Sequence, residues 1–232
     1  EKKNIVWWRP LDDAQGKNDD PWACMGSERA NYLDARYADL SVDYYLPADA
    51  TGYFQVQLYG AHSGSTGAYM HLWDVNVTDG VLVEHYDASA PFTASDEEAC
   101  KLTRDAWHTV RTIIDLEAGT YDVFIDGKYA ASGHILGGAK NIIVSKNYLD
   151  VCCLRCSAGG NYAEGIKTYV QSGYVLVDDV NFKVFGGSVV KVDTSLADGV
   201  LGTKVGDKLL EAGVHVFDEA VKTENVNFDK TP

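Results

Sequence analysis

Trp107-His-Thr-Val-Arg-Thr-Ile-Ile-Asp-Leu-Glu-Ala-Gly-Thr-Tyr-Asp-Val-Phe-Ile-Asp-Gly-Lys128 is the stretch that decides the fold. Residues 107–116 are β-branched and aromatic, with polar residues interleaved. Glu117, Ala118 and Gly119 form a turn, and residues 120–125 are a second β-rich run. Asp126-Gly127 opens a tighter turn. A two-residue hairpin loop needs positive φ, and glycine supplies it without steric cost. The reading is a meander of strands at 107–116, 120–125 and 128–132.

Outward from there, β-like runs occur at 4–9, 40–46, 53–59, 68–77, 81–86, 140–146 and 173–185. Pro47 stops one of them, and Asp79-Gly80 marks another hairpin. Only 27–37 could form a short helix. Gly60-Ala-His-Ser-Gly-Ser-Thr-Gly67 reads as a small-residue loop; no Gly-Lys-Ser/Thr follows it, so it is not a phosphate loop. Short strands at close spacing with almost no helical periodicity predict an all-β, two-sheet antiparallel jelly-roll sandwich over residues 1–186. Gly186-Gly187 breaks the pattern. Residues 187–232, with β-like runs at 189–192 and 213–217, read as a short C-terminal extension, either a linker or a partial second β unit.

The formal net charge of −14 argues against nucleic acid and anionic membrane surfaces as partners, since both need a basic face. No run of about 18 apolar residues exists, so no membrane insertion is expected. The chain begins at Glu1 without Met, as a processed secreted protein or a piece of a longer chain would. The five cysteines, Cys24, Cys100, Cys152, Cys153 and Cys156, cannot all pair internally. Cys153-Leu-Arg-Cys156 has zinc-site spacing, but a structural zinc needs a second pair, which Cys24 and Cys100 would have to bring. Inert or partly disulfide-bonded thiols are the plainer reading.

Alternation along the strands nominates a face. Phe54, Val56 and Leu58 point one way; Tyr53, Gln55, Gln57 and Tyr59 point the other. Met70 and Leu72 join the apolar side, leaving Tyr69, His71 and Trp73. Val42, Tyr44 and Leu46 look inward, leaving Asp43 and Tyr45. Val110, Thr112 and Ile114 look inward, leaving Thr109, Arg111 and Ile113. If these strands are neighbours, one sheet presents Asp43, Tyr45, Gln55, Gln57, Tyr59, Tyr69, His71, Trp73 and Arg111. Sugars need such a mixture: rings stack on the apolar face of a pyranose, and amides, carboxylates and guanidinium bond its hydroxyls. Two plainer readings stand beside it. Aromatics and amides can simply decorate an exposed sheet, or Trp73 and Tyr69 can pack under a loop.

The order Trp107…Ile114-Asp115…Gly119-Thr120-Tyr121-Asp122-Val123…Asp126-Gly127, then Tyr174-Val-Leu-Val-Asp-Asp-Val180, resembles the concanavalin A-like (laminin-G-like) jelly rolls of bacterial extracellular proteins. The closing strand is similar to that of several carbohydrate-binding module families. The resemblance implies a non-catalytic polysaccharide-binding module of a secreted or cell-surface protein, with neighbouring domains in a longer chain. A structural or adhesive sandwich that binds no sugar is the alternative, since the same jelly roll serves both. Residues 225–232 weakly resemble the first strand of a bacterial immunoglobulin-like module.

Asp178 shares a strand face with Tyr174, Leu176, Val180 and Phe182, so its carboxylate falls in an apolar row and needs a partner: backbone N–H groups, a buried basic group or a metal ion. The resemblance implies a structural calcium ion there, which wants six to eight hard oxygens; Asp12, Asp13, Asp19 and Asp20 could supply some. The Glu-x-Asp-x-x-Glu motif of jelly-roll glucanases is absent. His71 with Tyr69 and Arg111 could serve lyase chemistry, which needs a base and a neutralising cation, but the lyase strand motifs are absent too. No catalytic residue is assigned.

Overall fold

The computed structural model describes residues 6–8, 22–25, 36–62, 65–84, 98–135, 149–155, 170–192 and 201–227. Two six-stranded antiparallel sheets face each other. The first orders β1 (Val6–Trp8), β12 (Val175–Phe185), β3 (Tyr37–Tyr45), β7 (Trp107–Asp115), β8 (Thr120–Ile125) and β9 (Lys128–His134). The second orders β2 (Trp22–Met25), β10 (Leu149–Arg155), β4 (Thr51–His62), β5 (Ser65–Asn76) and β6 (Val81–Glu84), with β11 (Val170–Ser172) also paired to β4. The long crossings between the sheets make the jelly roll.

The opening meander is β7-β8-β9. Asp126 (φ 51°) and Gly127 (φ 78°) make its tight turn, both with positive φ, as a hairpin loop of this kind requires. At the wider turn, the Asp115 carboxylate accepts the backbone N–H groups of Glu117 (3.0 Å) and Ala118 (2.9 Å). These bonds explain why a strand rich in Ile and Val stops there. β2 and β10 lie in stretches without a β-like sequence pattern. The small-residue run expected as a loop is mostly strand: β4 continues to His62 and β5 starts at Ser65. The expected strand at 140–146 and most of the helix candidate at 27–37 lie outside the described residues.

The core between the sheets is apolar and closed. Leu40, Val42, Phe54, Val56, Leu72, Val75, Val110, Ile114 and Val123 are all buried, each such burial contributing about 1.5–3 kcal/mol before chain entropy is set against it. Two polar side chains cross this interior. The Trp73 Nε1–H of the second sheet donates to Thr112 Oγ1 of the first at 3.0 Å. The Tyr121 hydroxyl of the first sheet donates to the Leu72 carbonyl of the second at 2.5 Å. Both bonds satisfy groups that would otherwise be buried without partners. Tyr121 fills the space beside Gly133 so closely that any Cβ at 133 would collide with its ring.

Beyond β12 the chain forms β13 (Ser188–Val192), β14 (Leu201–Val205), β15 (Lys208–Leu210), β16 (Gly213–Phe217) and β17 (Thr223–Asn227). β13 pairs with β16, and β14 sits between β15 and β17. They enclose a small core of Val190, Val192 and Leu210. This unit lies against one end of the first sheet. Lys191 is ion-paired with Asp122, and Lys183 reaches Asp218 at 3.5 Å. A cavity of about 130 Å³ remains between the two, lined by Tyr37, Ile113, Asp122, Val189 and Lys191 among others.

Candidate functional site

The nominated residues do not share one sheet. Asp43, Tyr45 and Arg111 belong to β3 and β7 of the first sheet; Gln55, Gln57, Tyr59, Tyr69 and His71 belong to β4 and β5 of the second. The inward faces of the two sets meet in the core, so the two outward faces lie on opposite sides of the sandwich. Lyase chemistry joining Arg111 to His71 and Tyr69 is therefore not assembled here.

Trp73 is on neither outer face. It is fully buried, packed edge-on against Tyr44 with ring centroids 6.0 Å apart. The cause is a β-bulge. Val56 pairs with Trp73, but the next residue, Gln57, pairs with His71, so Leu72 is an extra residue in β5. The insertion shifts the alternation by one, and Trp73, Val75 and Val77 all turn into the core. The sequence carried this signal: Met70-x-Leu72 and Trp73-x-Val75-x-Val77 are two apolar series out of phase.

The outer face of the first sheet has a clear grain. Its register lines up residues in rows across the strands. Leu176, Tyr45 and Trp107 form one row; Asp178, Asp43 and Thr109 the next; Asn181, Ser41, Arg111, Phe124 and Tyr129 a third. Lys183, Asp39, Ile113, Asp122 and Ser132 make a fourth, then Phe185, Tyr37, Asp115, Thr120 and His134 a fifth. The C-terminal unit lies over the last two rows, which is why outward-pointing Ile113 is only 3% exposed. The first three rows form a strip bounded by that unit. The strip crosses five strands, a width of about 19 Å at the usual strand spacing.

Aromatic pairs stand on either side of it. Tyr45 and Trp107 lie 5.6 Å apart, and Phe124 and Tyr129 5.8 Å apart. Between them runs a polar floor. Arg111 donates two parallel hydrogen bonds to Asp39, Nε to Oδ1 at 2.9 Å and Nη2 to Oδ2 at 2.7 Å. The Thr109 hydroxyl donates to Asp43 Oδ1 at 2.6 Å. Hydrogen bonding to Asp39 raises the Arg111 pKa further, against the lowering caused by partial burial. With its side chain 36% exposed, the pair is worth about 1 kcal/mol or less to stability after screening, and its main effect is to fix the guanidinium. Desolvation, then the Asp105 carboxylate, raises the Tyr45 phenol above its ordinary value, so it stays a neutral donor. Sequence reasoning singled out neither Trp107 nor Thr109 as a site residue, although both share the parity of Arg111.

The end of the strip at Tyr45 is held by backbone carbonyls. Arg104 donates to five of them, those of Pro47, Val77, Thr78, Ala48 and Ala50. Asp105 (φ 57°) accepts the Ala48 N–H at 3.0 Å and stands 3.5 Å from the Tyr45 hydroxyl.

On the second sheet, the backbone register sets Gln57 opposite His71, Tyr59 opposite Tyr69 and Gln55 opposite Asp74. It also sets Arg155 opposite Gln55 and Cys152 opposite Cys24. Cys100 is buried with its thiol toward the Ala130 carbonyl.

Asp178 departs from its expected row. Asp179 (φ 46°) sits in a bulge between Asp178 and Asn181, so Val180 and Phe182 pack toward the core while Asp178 lines up with Asp43. Asp178 is 1% exposed. Its Oδ1 accepts the Asp179 N–H at 2.8 Å, and its buried Oδ2 accepts no hydrogen bond among the described residues. An orphaned buried carboxylate oxygen suits a hard cation. Among the described residues no group of three His, Cys, Asp or Glu is arranged to hold a metal; Asp12, Asp13, Asp19 and Asp20 lie outside them.

No family model and no curated protein matches the chain. Solved structures do. A PL-14 alginate lyase from Aplysia kurodai is 11% identical, with 78% of this chain and 82% of that one covered and a TM-score of 0.43. A family 7 alginate lyase is 11% identical over 78% and 79%, with a TM-score of 0.42. The galectin LEC-6 from Caenorhabditis elegans is 10% identical over 71% and 93%, with a TM-score of 0.38. At this level of similarity no binding or catalytic property is carried over to this chain.

Proposed function

We propose that the chain is a non-catalytic carbohydrate-binding module that holds a polysaccharide on the strip across β12, β3, β7, β8 and β9. One observation carries the reading. Half-buried Tyr45 and Trp107 stand beside Asp43 and Thr109 of the next row and Arg111 of the third, whose guanidinium is fixed by Asp39 at the edge of the C-terminal unit. Rings and prepaired hydrogen-bonding groups on a rigid sheet can bind sugar without reorganising first. The reading places the module in a secreted or cell-surface protein with further domains. It also gives Asp178 a structural calcium ion, which would neutralise the buried carboxylate and tie down the β12 bulge. Melting with calcium and with chelator, in the wild type and in Asp178→Asn, tests that part: equal melting temperatures in all four would remove the ion.

Affinity electrophoresis through soluble polysaccharides tests the main reading. The wild type should be retarded by at least one glycan, and Trp107→Ala should migrate freely. Retention lost in Gln57→Ala or Tyr59→Ala but kept in Trp107→Ala would move the site to the second sheet. That sheet supports a second reading, a polysaccharide lyase, because its register gathers the positions of Arg155, Gln55, Gln57, His71, Tyr59 and Tyr69. Release of unsaturated, ultraviolet-absorbing ends from a polyuronate, abolished in His71→Ala, would establish it.

A further inference from the structure

We infer that Thr103, His108 and Asp126 make a second site, apart from the strip, in which the Thr103 hydroxyl is an activated nucleophile toward carboxylic esters. The binding reading leaves this trio unused, and neither depends on the other. The three side chains form an unbroken line of hydrogen bonds. Asp126 Oδ2 lies 2.7 Å from His108 Nδ1, and His108 Nε2 lies 2.7 Å from Thr103 Oγ1. A nucleophile within reach of a base, with the base oriented by a third group, is the arrangement that acyl transfer needs. Thr103 is exposed to reactants, whereas the His108 side chain is 12% exposed and sheltered from bulk water. The trio is also held in place. On either side of Thr103, the Leu102 N–H donates to the Gly80 carbonyl at 2.6 Å and the Asp105 N–H to the Leu46 carbonyl at 2.9 Å. Asp126 Oδ1 accepts the Thr109 N–H at 3.0 Å, which fixes the carboxylate against the imidazole.

The protons have places to go. A carboxylate only accepts, so Asp126 keeps the proton of the neutral imidazole on Nδ1 and leaves Nε2 bare to accept from the Thr103 hydroxyl. As Thr103 Oγ1 bonds to the ester's carbonyl carbon, its proton passes to His108 Nε2. The new N–H then has an acceptor in reach, the Thr103 carbonyl oxygen at 3.2 Å, while Nδ1–H stays on Asp126. Both protons of the imidazolium are thus bonded, which favours its formation. The bond from the acyl carbon to the alcohol oxygen breaks, and that oxygen leaves with the electron pair and takes a proton. Water next adds to the acyl carbon and gives its proton to Nε2. The bond to Oγ1 breaks, and Oγ1 recovers that proton. The sum is ester and water to acid and alcohol.

The test is hydrolysis of p-nitrophenyl acetate by the full chain. Its phenolate leaves without help from an acid, so a nucleophile and a base suffice. General-base activation contributes about 10²–10⁴-fold, so Thr103→Ala and His108→Gln should each slow nitrophenolate release at least about tenfold. Thr103→Ser keeps the hydroxyl and should restore the rate. The acyl group accumulates with so reactive an ester, and peptide mapping after an acid quench should find acetyl on Thr103. Surface lysines and other histidines also react with this ester, at a rate that these substitutions leave alone. Equal release by the wild type, Thr103→Ala and His108→Gln would overturn the inference, and so would acetyl on lysines with none on Thr103. A loss in Thr103→Ala that Thr103→Ser fails to restore would overturn it as well, because the hydroxyl would then not be the reacting group.

Discussion

The protein uses one trio of residue types twice. In the interior, Trp73 packs on Tyr44 and bonds Thr112, and all three are fully buried. On the outer face of the first sheet, Trp107 packs on Tyr45, and Thr109 lies two residues along the same strand. Tyr44 and Tyr45 are adjacent in β3, and Thr109 and Thr112 differ in parity on β7. One step of strand alternation therefore separates a trio that holds two sheets together from one that faces solvent. Residue type does not tell the two apart; pairing register does. The interior trio is expected to govern stability and the outer one retention on glycan, and substitutions can set them against each other.

Trp73→Ala has the largest expected effect. It empties a ring-sized space and leaves Thr112 without its donor, a loss of about 3–5 kcal/mol. Chemical denaturation of the variant should show a midpoint far below the wild type, or no folded baseline. A loss below about 1 kcal/mol would mean that Trp73 is not in the core and that the bulge at Leu72 is misplaced. Thr112→Val keeps the volume and removes only the acceptor of the indole N–H. It should cost about 1–3 kcal/mol with no change in retention on glycan.

Much of the fold was legible in the sequence because it is written in local terms. Asp126-Gly127 and Asp79-Gly80 name their turns, and alternating runs such as Leu40-x-Val42-x-Tyr44 name the buried face. The neighbourhood of the strands was not legible. Nothing within residues 40–46 or 53–59 says that β3 joins β7 and β12 while β4 joins β5 and β10. That partition is set by long-range pairing, and it divided the nominated site between two faces. The bulges at Leu72 and Asp179 hid for a related reason. Each adds one residue to a strand, so a count of every second position runs true up to the bulge and inverts after it. Ile113 was the legible clue that went unused: an isoleucine of outward parity beside Arg111 marks where something covers the sheet.

Trp107→Ala carries the comparison to the outer trio. Its ring is half-buried against Tyr45, so its loss should cost about 1 kcal/mol, well short of the Trp73 effect, and should abolish retention on glycan. A melting temperature lowered as much as in Trp73→Ala would make the outer trio structural and erase the contrast.

Tyr45→Phe is the finest probe, because it removes one hydroxyl and leaves the ring in place. At neutral pH the melting temperature should hardly move: the side chain is only half-buried, and its contact with Asp105 is long, at 3.5 Å. The difference should emerge at alkaline pH. Desolvation and Asp105 raise the folded-state pKa of this phenol above its ordinary value of 10.0. A raised pKa means the hydroxyl's contribution is fully present below the unfolded-state value and is lost as pH rises through the folded-state value. Melting temperature followed against pH should therefore fall more steeply in the wild type than in Tyr45→Phe from about pH 10 upward. Parallel curves would mean that the Tyr45 hydroxyl has no special tie to Asp105 and that the ring alone builds this end of the strip.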